Sequence, residues 1–361
     1  MNFASSQPLL DLLQIDWPII QAPMAGTSTP ALAAAVANAG GLGSIGVGAV
    51  NATVAGEMIA AVRERTNRSF NVNLFCHQPA QAEPVREAAW LARLRPEFAS
   101  AGAAPPNELR EIYKSFLQDE EMFGLLLETR PKIVSFHFGL PPAAWIQALR
   151  DAGILLLSSA TSLDEGRLAA AAGVHAVVAQ GYEAGGHRGI FEPDGEDTQL
   201  GTFALVRILT RALDLPVIAA GGIMDGAGIA AALRLGAAAA QLGTAFVPTD
   251  ESAADAGYRA ALASDAAQHT VMTRAISGRP ARCLANRFTA FGAGVSPAEI
   301  PAYPTAYDAG KALHAAAKAV GEFGYGAQWA GQGAPLARAR SAGQLMAELI
   351  AELNAAHGGA I

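Results

Sequence analysis

Residues 216–244 read PVIAAGGIMDGAGIAAALRLGAAAAQLGT, and this stretch decides the fold class. An apolar run (216–222) is followed by the alanine-rich segment GAGIAAALRLG (226–236) and by a second apolar run (237–244). Continuous apolar runs without alternation are typical of parallel strands that are buried on both faces. The stretch therefore predicts a strand–helix–strand unit of an α/β protein.

The same alternation extends toward the N-terminus. Six more apolar runs are PIIQAPM (18–24), LGSIGV (42–47), FNVNLF (70–75), KIVSFHF (132–138), GILLLSSA (153–160) and VHAVVAQ (174–180). Further helical segments are PALAAAVANAG (30–40) and SLDEGRLAAAAG (162–173). Eight strands, most of them followed by a helix, predict a (β/α)₈ TIM barrel, with a doubly wound open sheet as the alternative.

Two segments exceed a minimal barrel. We expect residues 77–131 to form a helical insertion and residues 270–361 a C-terminal extension, which leaves residues 1–76 and 132–269 for the barrel domain. The two added segments hold Tyr113, Tyr303, Tyr307 and Tyr325. Tyrosine is amphipathic and finds a hydrogen-bond partner when buried. We therefore expect both segments to cover the mouth of the barrel and the extension to contribute to a substrate pocket.

Composition excludes several classes of function. The chain of 361 residues is 51% hydrophobic and has a net charge of −7, with no basic run that would bind a nucleic acid. Its two cysteines, Cys76 and Cys283, are too few for a disulfide framework or a cysteine metal cluster. The N-terminus lacks the pattern of a secretory signal. We expect a cytoplasmic protein that is a monomer or a homodimer.

The stretch between Asp16 and Glu57 has no charged residue, but this does not predict a membrane span. A spanning helix needs about 20 apolar residues in a row. Here the stretch is interrupted by Pro23, Pro30 and several glycines. A buried core is the better interpretation.

A GxGxxG pattern at residues 41–46 is a poor dinucleotide fingerprint. Such a fingerprint follows a strand and opens a helix. Here a helical segment precedes the glycines, which overlap the second predicted strand. We interpret them as a closely packed strand of the barrel wall.

The ends of the last two predicted strands favour a phosphate site. Gly221 and Gly222 would allow the backbone to approach an anion, and Gly243 and Thr244 would add N–H groups and a hydroxyl. In barrels the loops after strands seven and eight commonly bind phosphate. Two ordinary turns are the alternative.

One histidine lies in a glycine-rich loop, GYEAGGHRGIF (181–191), directly after Gln180 at the end of the sixth strand. Barrel active sites lie at this end of the strands, so His187 is a candidate catalytic base. His137, which closes the fourth strand, is predicted to line the pocket. Cys76 and His77 need not meet, because adjacent residues of an extended chain point to opposite sides. No spacing predicts a metal site.

The motifs together resemble the nitronate monooxygenases, formerly 2-nitropropane dioxygenases, from residue 21 to about residue 333. The resemblance rests on QAPMAG (21–26), NLF (73–75), AQGYEAGGHRG (179–189), PVIAAGGI (216–223) and QLGTAF (241–246). Three more motifs look like class I of the family: SFHFG (135–139), PAYPTAYDAGK (301–311) and WAGQG (329–333).

The resemblance implies FMN as cofactor and assigns roles by motif. The residues expected to bind FMN are Pro23, Met24, Ala25, Asn73, Gln180, Gly185, Gly221, Gly222, Gln241, Leu242, Gly243 and Thr244. His187 matches the family's active-site histidine. The residues expected to line the substrate pocket are Tyr113, His137, Tyr258, Tyr303, Tyr307 and Lys311.

The implied reaction is oxidation of an alkyl nitronate with O₂, giving a carbonyl compound and nitrite. Lys311 and the tyrosines would suit a second anionic group, as in propionate 3-nitronate. His187 would remove the α-proton of a nitroalkane or stabilise the nitronate. An NAD(P)H-dependent reductase of quinones or enoyl thioesters is an alternative, because such relatives share the loop. A phosphate-ligand-binding barrel without catalysis is another.

Overall fold

A computed structural model of the protein describes residues 6–358. The predicted domain limits at residues 1 and 361 lie outside the described residues, as do the first five residues of the N-terminal segment. The strands are β1 (Ile19–Gln21), β2 (Gly43–Gly46), β3 (Phe70–Phe75), β4 (Ile133–His137), β5 (Leu155–Ala160), β6 (Ala176–Gln180), β7 (Gly186–His187), β8 (Val217–Ala220), β9 (Ala239–Leu242), β10 (Thr270–Thr273) and β11 (Ala281–Leu284).

Alpha helices connect or cover these strands. They are α1 (Gln7–Leu13), α2 (Pro30–Asn38), α3 (Ala52–Arg63), α4 (Pro84–Ser100), α5 (Glu120–Thr129), α6 (Ala143–Asp151), α7 (Leu163–Ala172), α8 (Thr202–Ala212), α9 (Gly226–Arg234), α10 (Ala256–Leu262), α11 (Arg287–Gly292), α12 (Thr305–Ala319) and α13 (Ala342–Gly358).

Eight parallel strands form the barrel wall, in the order β1-β9-β8-β6-β5-β4-β3-β2. The ring closes between β1 and β2, where the Gln21 N–H donates to the Leu42 carbonyl at 2.9 Å and the Leu42 N–H donates to the Ile19 carbonyl at 3.0 Å. The side chain of Gln21 reinforces this seam, because its Oε1 accepts from the Ser44 N–H at 2.8 Å. The predicted TIM barrel is confirmed, and each of the eight predicted runs contains one of these strands.

The last four residues of the GxGxxG pattern form β2, in agreement with the prediction that the glycines overlap the second strand. A Cβ added to Gly43 would lie 1.9 Å from the Ala33 carbonyl oxygen, which belongs to α2. The glycine is therefore needed for a helix to pack directly against the strand.

Two helices from the predicted added segments pack in the outer ring. Helix α5 packs against α3 and α6, where the crossover from β3 to β4 belongs. Helix α13 packs against α9 and α2, which is the position of the eighth ring helix. By contrast, α4 packs against α12 away from the ring, in a core that includes Trp90, Phe98, Phe288 and Leu313. The division of the chain at residues 77, 132 and 270 remains a proposal.

A small antiparallel sheet joins the loop after β6 to the C-terminal segment. Its order is β10-β11-β7, and β7 consists of Gly186 and His187 alone. His187 pairs with Ala281 of β11. This pairing holds the histidine over the C-terminal ends of the barrel strands.

Within residues 6–358, no helix is both long enough and apolar enough to cross a membrane.

Candidate active site

A cavity opens at the C-terminal ends of the barrel strands, under the loops that follow them. Of the predicted site residues, those that line it are Pro23, Met24, Ala25, Asn73, Tyr113, His137, Gln180, Gly185, His187, Gly221, Gly222, Gln241, Gly243, Thr244, Tyr258, Tyr303 and Tyr307. The fold thus brings together residues that are up to 284 positions apart, from Pro23 to Tyr307.

Two predicted site residues do not line the cavity. Leu242 is buried in the apolar core of the barrel. Lys311 is exposed, and its Nζ lies 4.9 Å from the ring centroid of Tyr113 and 5.6 Å from that of Tyr307. Lys311 therefore contacts two tyrosines that line the cavity without lining it itself.

His187 is enclosed by aromatic rings and held by a serine. Its ring centroid lies 5.0 Å from that of Trp329, 5.2 Å from Tyr303 and 5.7 Å from Phe138. Its Nε2 lies 2.9 Å from Ser277 Oγ. Its Nδ1 has no hydrogen-bond partner among the described residues, and this atom is not among the fully buried polar atoms. One ring nitrogen is thus engaged by the protein and the other is accessible.

His137 differs from His187, because both of its ring nitrogens are engaged. Nδ1 lies 2.7 Å from Ser159 Oγ, and Nε2 lies 3.2 Å from the carbonyl oxygen of His187. A carbonyl only accepts, so Nε2 carries the proton and Nδ1 accepts from the serine. Neither nitrogen is left to take a proton from a ligand, which favours a lining role.

His137 and His187, which line the cavity, and the neighbouring His77 are held neutral. Burial lowers the pKa of His187 well below 6.5, and the neighbouring His137, Arg279 and His77 lower it further. Burial lowers the pKa of His137 to about 4 and, with Arg279, the pKa of His77 to about 4. Near neutral pH these rings are therefore uncharged, and His187 can accept a hydrogen bond or a proton at Nδ1 in the tautomer that carries its proton on Nε2.

Buried side chains hold the glycine-rich loop that carries His187. Gln180 donates to the His187 carbonyl at 2.9 Å and accepts from the Gly189 N–H at 2.7 Å. Arg188 forms a bidentate pair with Asp197, at 2.8 and 2.9 Å. Gln180 was expected to bind the cofactor; it lines the cavity, and its amide also fixes the loop.

One end of the cavity has unused backbone donors. Gly221 and Gly222 have φ values of 120° and 72°, a region that favours glycine. Among the described residues, the N–H groups of Gly222, Gly243 and Thr244 donate to no protein acceptor. Thr244 Oγ1 accepts from the Gly331 N–H at 3.0 Å, which leaves its own hydrogen to donate. These donors fit a phosphate group.

Residues after β1 and an asparagine of β3 form another part of the cavity lining. Pro23, Met24 and Ala25 follow β1 and line the cavity. Asn73 Oδ1 accepts from Ser135 at 2.8 Å, and no protein acceptor in the described chain takes a hydrogen bond from its Nδ2. The amide nitrogen can therefore donate into the cavity.

Gly185 is needed for a reason that the sequence did not reveal. A Cβ at this position would lie 2.4 Å from the Gly331 nitrogen and 2.5 Å from the Ala330 carbonyl carbon. The C-terminal segment WAGQG thus presses against the loop that carries His187.

Sequence reasoning overlooked several residues of the site. Phe138 and Trp329 lie within the motifs SFHFG and WAGQG, but no role was assigned to them. Phe138 has a φ of 75°, a conformation that a sequence does not reveal for a non-glycine residue. Ser277 and Arg279 belong to the sequence SGR, which carries no general signal. No group of acidic, histidine or cysteine side chains in the described part of the chain could hold a metal ion.

Comparisons with known proteins agree with this geometry. A sequence profile of the nitronate monooxygenase family matches residues 6–352. The chain is 62% identical to a nitronate monooxygenase of Paraburkholderia phytofirmans, over 96% of this chain and 94% of that protein. It is 56% identical to a nitronate monooxygenase of Pseudomonas aeruginosa, over 95% and 97% of the two chains.

Two solved structures are similar. A nitroalkane oxidase from Streptomyces ansochromogenes superposes with a TM-score of 0.88 and 42% identity, covering 97% of this chain and 98% of that one. FabK from Thermotoga maritima superposes with a TM-score of 0.72 and 30% identity, covering 96% of both chains.

Proposed function

The chain belongs to the nitronate monooxygenase family, a family of flavin-dependent oxidoreductases, and from this premise we propose an FMN-dependent enzyme of class I. Its substrates are alkyl nitronates, such as propionate 3-nitronate, and O₂. The products are a carbonyl compound and nitrite.

One observation supports the proposal most strongly: no acidic side chain lines the cavity within the described residues, whereas two cations lie close to it. Lys311 lies against Tyr113 and Tyr307, and Arg279 lies against the ring of Phe138 at 4.2 Å. Such a site favours an anion such as a nitronate over a neutral compound.

The chain's residues would hold FMN at two places. The N–H groups of Gly222, Gly243 and Thr244 would donate to the phosphate, and Asn73 would donate to the ring system. The chemistry that FMN supplies when bound is acceptance of electrons from the nitronate and their transfer to O₂.

His187 would act differently on the two forms of a substrate. A neutral nitroalkane must lose its α-proton, and the accessible Nδ1 of His187 is the acceptor that the cavity offers. A nitronate has already lost this proton, so that His187 would only orient it. Tyr303 and Tyr307 line the same cavity, with ring centroids 5.2 and 6.0 Å from that of His187.

The test begins with an absorption spectrum of the purified protein, followed by an aerobic nitrite assay with propionate 3-nitronate. A flavin spectrum and nitrite release support the proposal. A flavin-loaded protein that releases no nitrite would overturn it.

The reductase alternative is tested by mixing the flavin-loaded protein with NADPH without oxygen. Rapid bleaching of the flavin would favour a reductase, and a stable spectrum would favour the monooxygenase. A colourless protein that stays colourless after addition of FMN would favour a binding barrel without catalysis. A cytoplasmic location and a monomeric or homodimeric state remain predictions from the sequence.

A further inference from the structure

Arg279 is a buried cation without an ion-pair partner. Its side chain is 2% exposed, and no carboxylate among the described residues lies within 4.0 Å of its nitrogens. Its Nη2 donates to the Ile190 carbonyl, and its Nε has no partner. Buried arginines are normally paired, so this charge needs an explanation.

Phe138 separates Arg279 from the cavity. The guanidinium carbon lies 4.2 Å from the centroid of the Phe138 ring, which lines the cavity. The same ring contacts His187 at 5.7 Å and Tyr303 at 5.5 Å. The positive φ of Phe138, 75°, places its ring in this position at a cost in backbone free energy.

Glu165 and Asp194 attract the charge of Arg279, but neither carboxylate forms an ion pair with it. The titratable groups that interact with Arg279 are His77, His137, His187, Tyr303, Glu165, Asp194 and Arg274. Glu165 accepts hydrogen bonds from Thr161 and Phe191, and Asp194 pairs with Arg274 at the surface. Burial lowers the pKa of Arg279 to about 10, so it stays charged at neutral pH.

We propose that Arg279 determines specificity: its charge, which forms no ion pair with a described residue, acts across the Phe138 ring and favours the anionic nitronate over the corresponding neutral nitroalkane. The inference rests on the proposed function and adds a residue that does not touch the substrate. A unit charge at roughly 8–10 Å, with an effective dielectric constant of about 20, changes the binding of an anion about 20-fold.

The test compares a conjugate pair, propyl-2-nitronate and 2-nitropropane, on the FMN-loaded enzyme at one pH. For Arg279→Gln we expect kcat/KM for the nitronate to fall about 20-fold relative to kcat/KM for the nitroalkane. Arg274→Gln is the matched control, because it removes a nearby cation that is paired with Asp194 at the surface. Its ratio should stay near that of the wild type.

Arg279→Lys gives a second, independent test of the inference. It is the deciding variant if Arg279→Gln does not fold. A buried lysine has a lowered pKa, so it loses its charge as the pH rises. The nitronate preference of Arg279→Lys should therefore be close to wild type at low pH and should fall with rising pH. The wild-type arginine stays charged over that range. The nitronate preference of Arg279→Lys, divided by the wild-type preference at the same pH, should therefore fall as the pH rises.

A ratio that is unchanged in Arg279→Gln, or a preference in Arg279→Lys that is independent of pH, would overturn the inference. If the wild type releases no nitrite from either compound, the proposed function fails instead. In that case, titration calorimetry compares the binding of the anion propionate with that of neutral propionamide, on the wild type and the same variants. This comparison tests the role of Arg279 without any turnover. An equal loss of affinity for propionate and propionamide in Arg279→Gln would overturn the inference.

Discussion

Nε2 of His187 lies 2.9 Å from Oγ of Ser277, and this hydroxyl is itself placed to donate to the Arg279 carbonyl at 3.3 Å. We predict that the hydroxyl donates to this carbonyl, in which case only its lone pairs face the imidazole and Nε2 carries the ring proton. The accessible Nδ1 is then the unprotonated nitrogen. Ser277 thus positions His187 as an acceptor without touching the cavity.

Ser277→Ala should impair proton abstraction more than nitronate oxidation. Without the serine, the proton can reside on Nδ1, and we expect kcat for 2-nitropropane to fall about tenfold while kcat for the nitronate changes little. Ser277→Thr keeps the hydroxyl and should restore activity. Nitrogen NMR of labelled histidine would report the tautomer, and an unchanged tautomer in Ser277→Ala would contradict the assignment.

His187→Asn should cause a larger difference in turnover between nitroalkanes and nitronates than Ser277→Ala. Loss of a general base costs about 10²–10⁴-fold in rate, so turnover of nitroalkanes should nearly cease while nitronates are still oxidised. The measurement is nitrite release from each form. His175→Asn is the control, since His175 accepts from the Leu156 N–H at 2.9 Å and does not line the cavity. Undiminished turnover of both forms by His187→Asn would exclude its role.

Gly185→Ala should destabilise the protein and weaken retention of FMN. The new Cβ meets backbone atoms of Ala330 and Gly331 that cannot move aside without shifting the loop. We expect a loss of about 1–3 kcal/mol in the free energy of unfolding. Gly124→Ala provides the contrast, because nothing lies within 4 Å of its Cβ position in α5. That variant should gain about 0.5–1 kcal/mol in urea unfolding.

Lys311→Met should raise KM for substrates with a second anionic group. The expected increase is about three- to tenfold for propionate 3-nitronate, with little change for propyl-1-nitronate, because an exposed charge contributes modestly. The effect should shrink at high salt. Lys318→Met is the matched control on the same helix, where Lys318 pairs with Asp255 at 2.7 Å. An equal increase for both substrates would refute a role in recognising the second anion.

Acid should destabilise the fold through its buried histidines. His77, His137 and His187 have folded-state pKa values below 6.5, so between about pH 6.5 and 4 the unfolded chain binds more protons than the folded one. The stability that depends on keeping these histidines neutral is fully present above about pH 6.5. The free energy of unfolding decreases as the pH falls from there toward 4. Urea unfolding at several pH values measures this slope.

His77→Phe isolates one part of that slope. Both ring nitrogens of His77 are buried without partners, and its ring contacts Tyr303 edge to face at 4.9 Å. Phenylalanine can keep this contact but cannot bind a proton, so the loss of stability between pH 6.5 and 4 should be smaller in the variant. A slope equal to the wild-type slope would show that His77 does not titrate on unfolding.

The barrel was predictable because each of its strands is buried on both faces and is therefore a continuous apolar run. The same reasoning missed β7, since two residues in a glycine-rich loop become a strand only by pairing with β11, about 95 positions later. The place of α13 in the ring was also hidden, because it depends on packing against α2 and α9 rather than on its own pattern.

The sequence motifs indicated most of the residues that line the cavity but not the contacts that these residues make. Gln180 lines the cavity as expected, yet its amide binds the backbone of its own loop. Lys311 is predicted to line the pocket with the tyrosines, but it contacts two of them without lining the cavity. Such differences arise from side-chain directions and long-range contacts, which spacing along the chain does not determine.

The loop that carries His187 has a further consequence for the reaction. Four glycines would suggest a mobile segment, but Arg188, Gln180 and the pairing with β11 fix it within the folded protein. The entropy of orienting the imidazole is therefore lost during folding and not during each turnover. A catalyst of this kind should have no slow loop closure between substrate binding and chemistry, and its activity should disappear with global unfolding instead of before it.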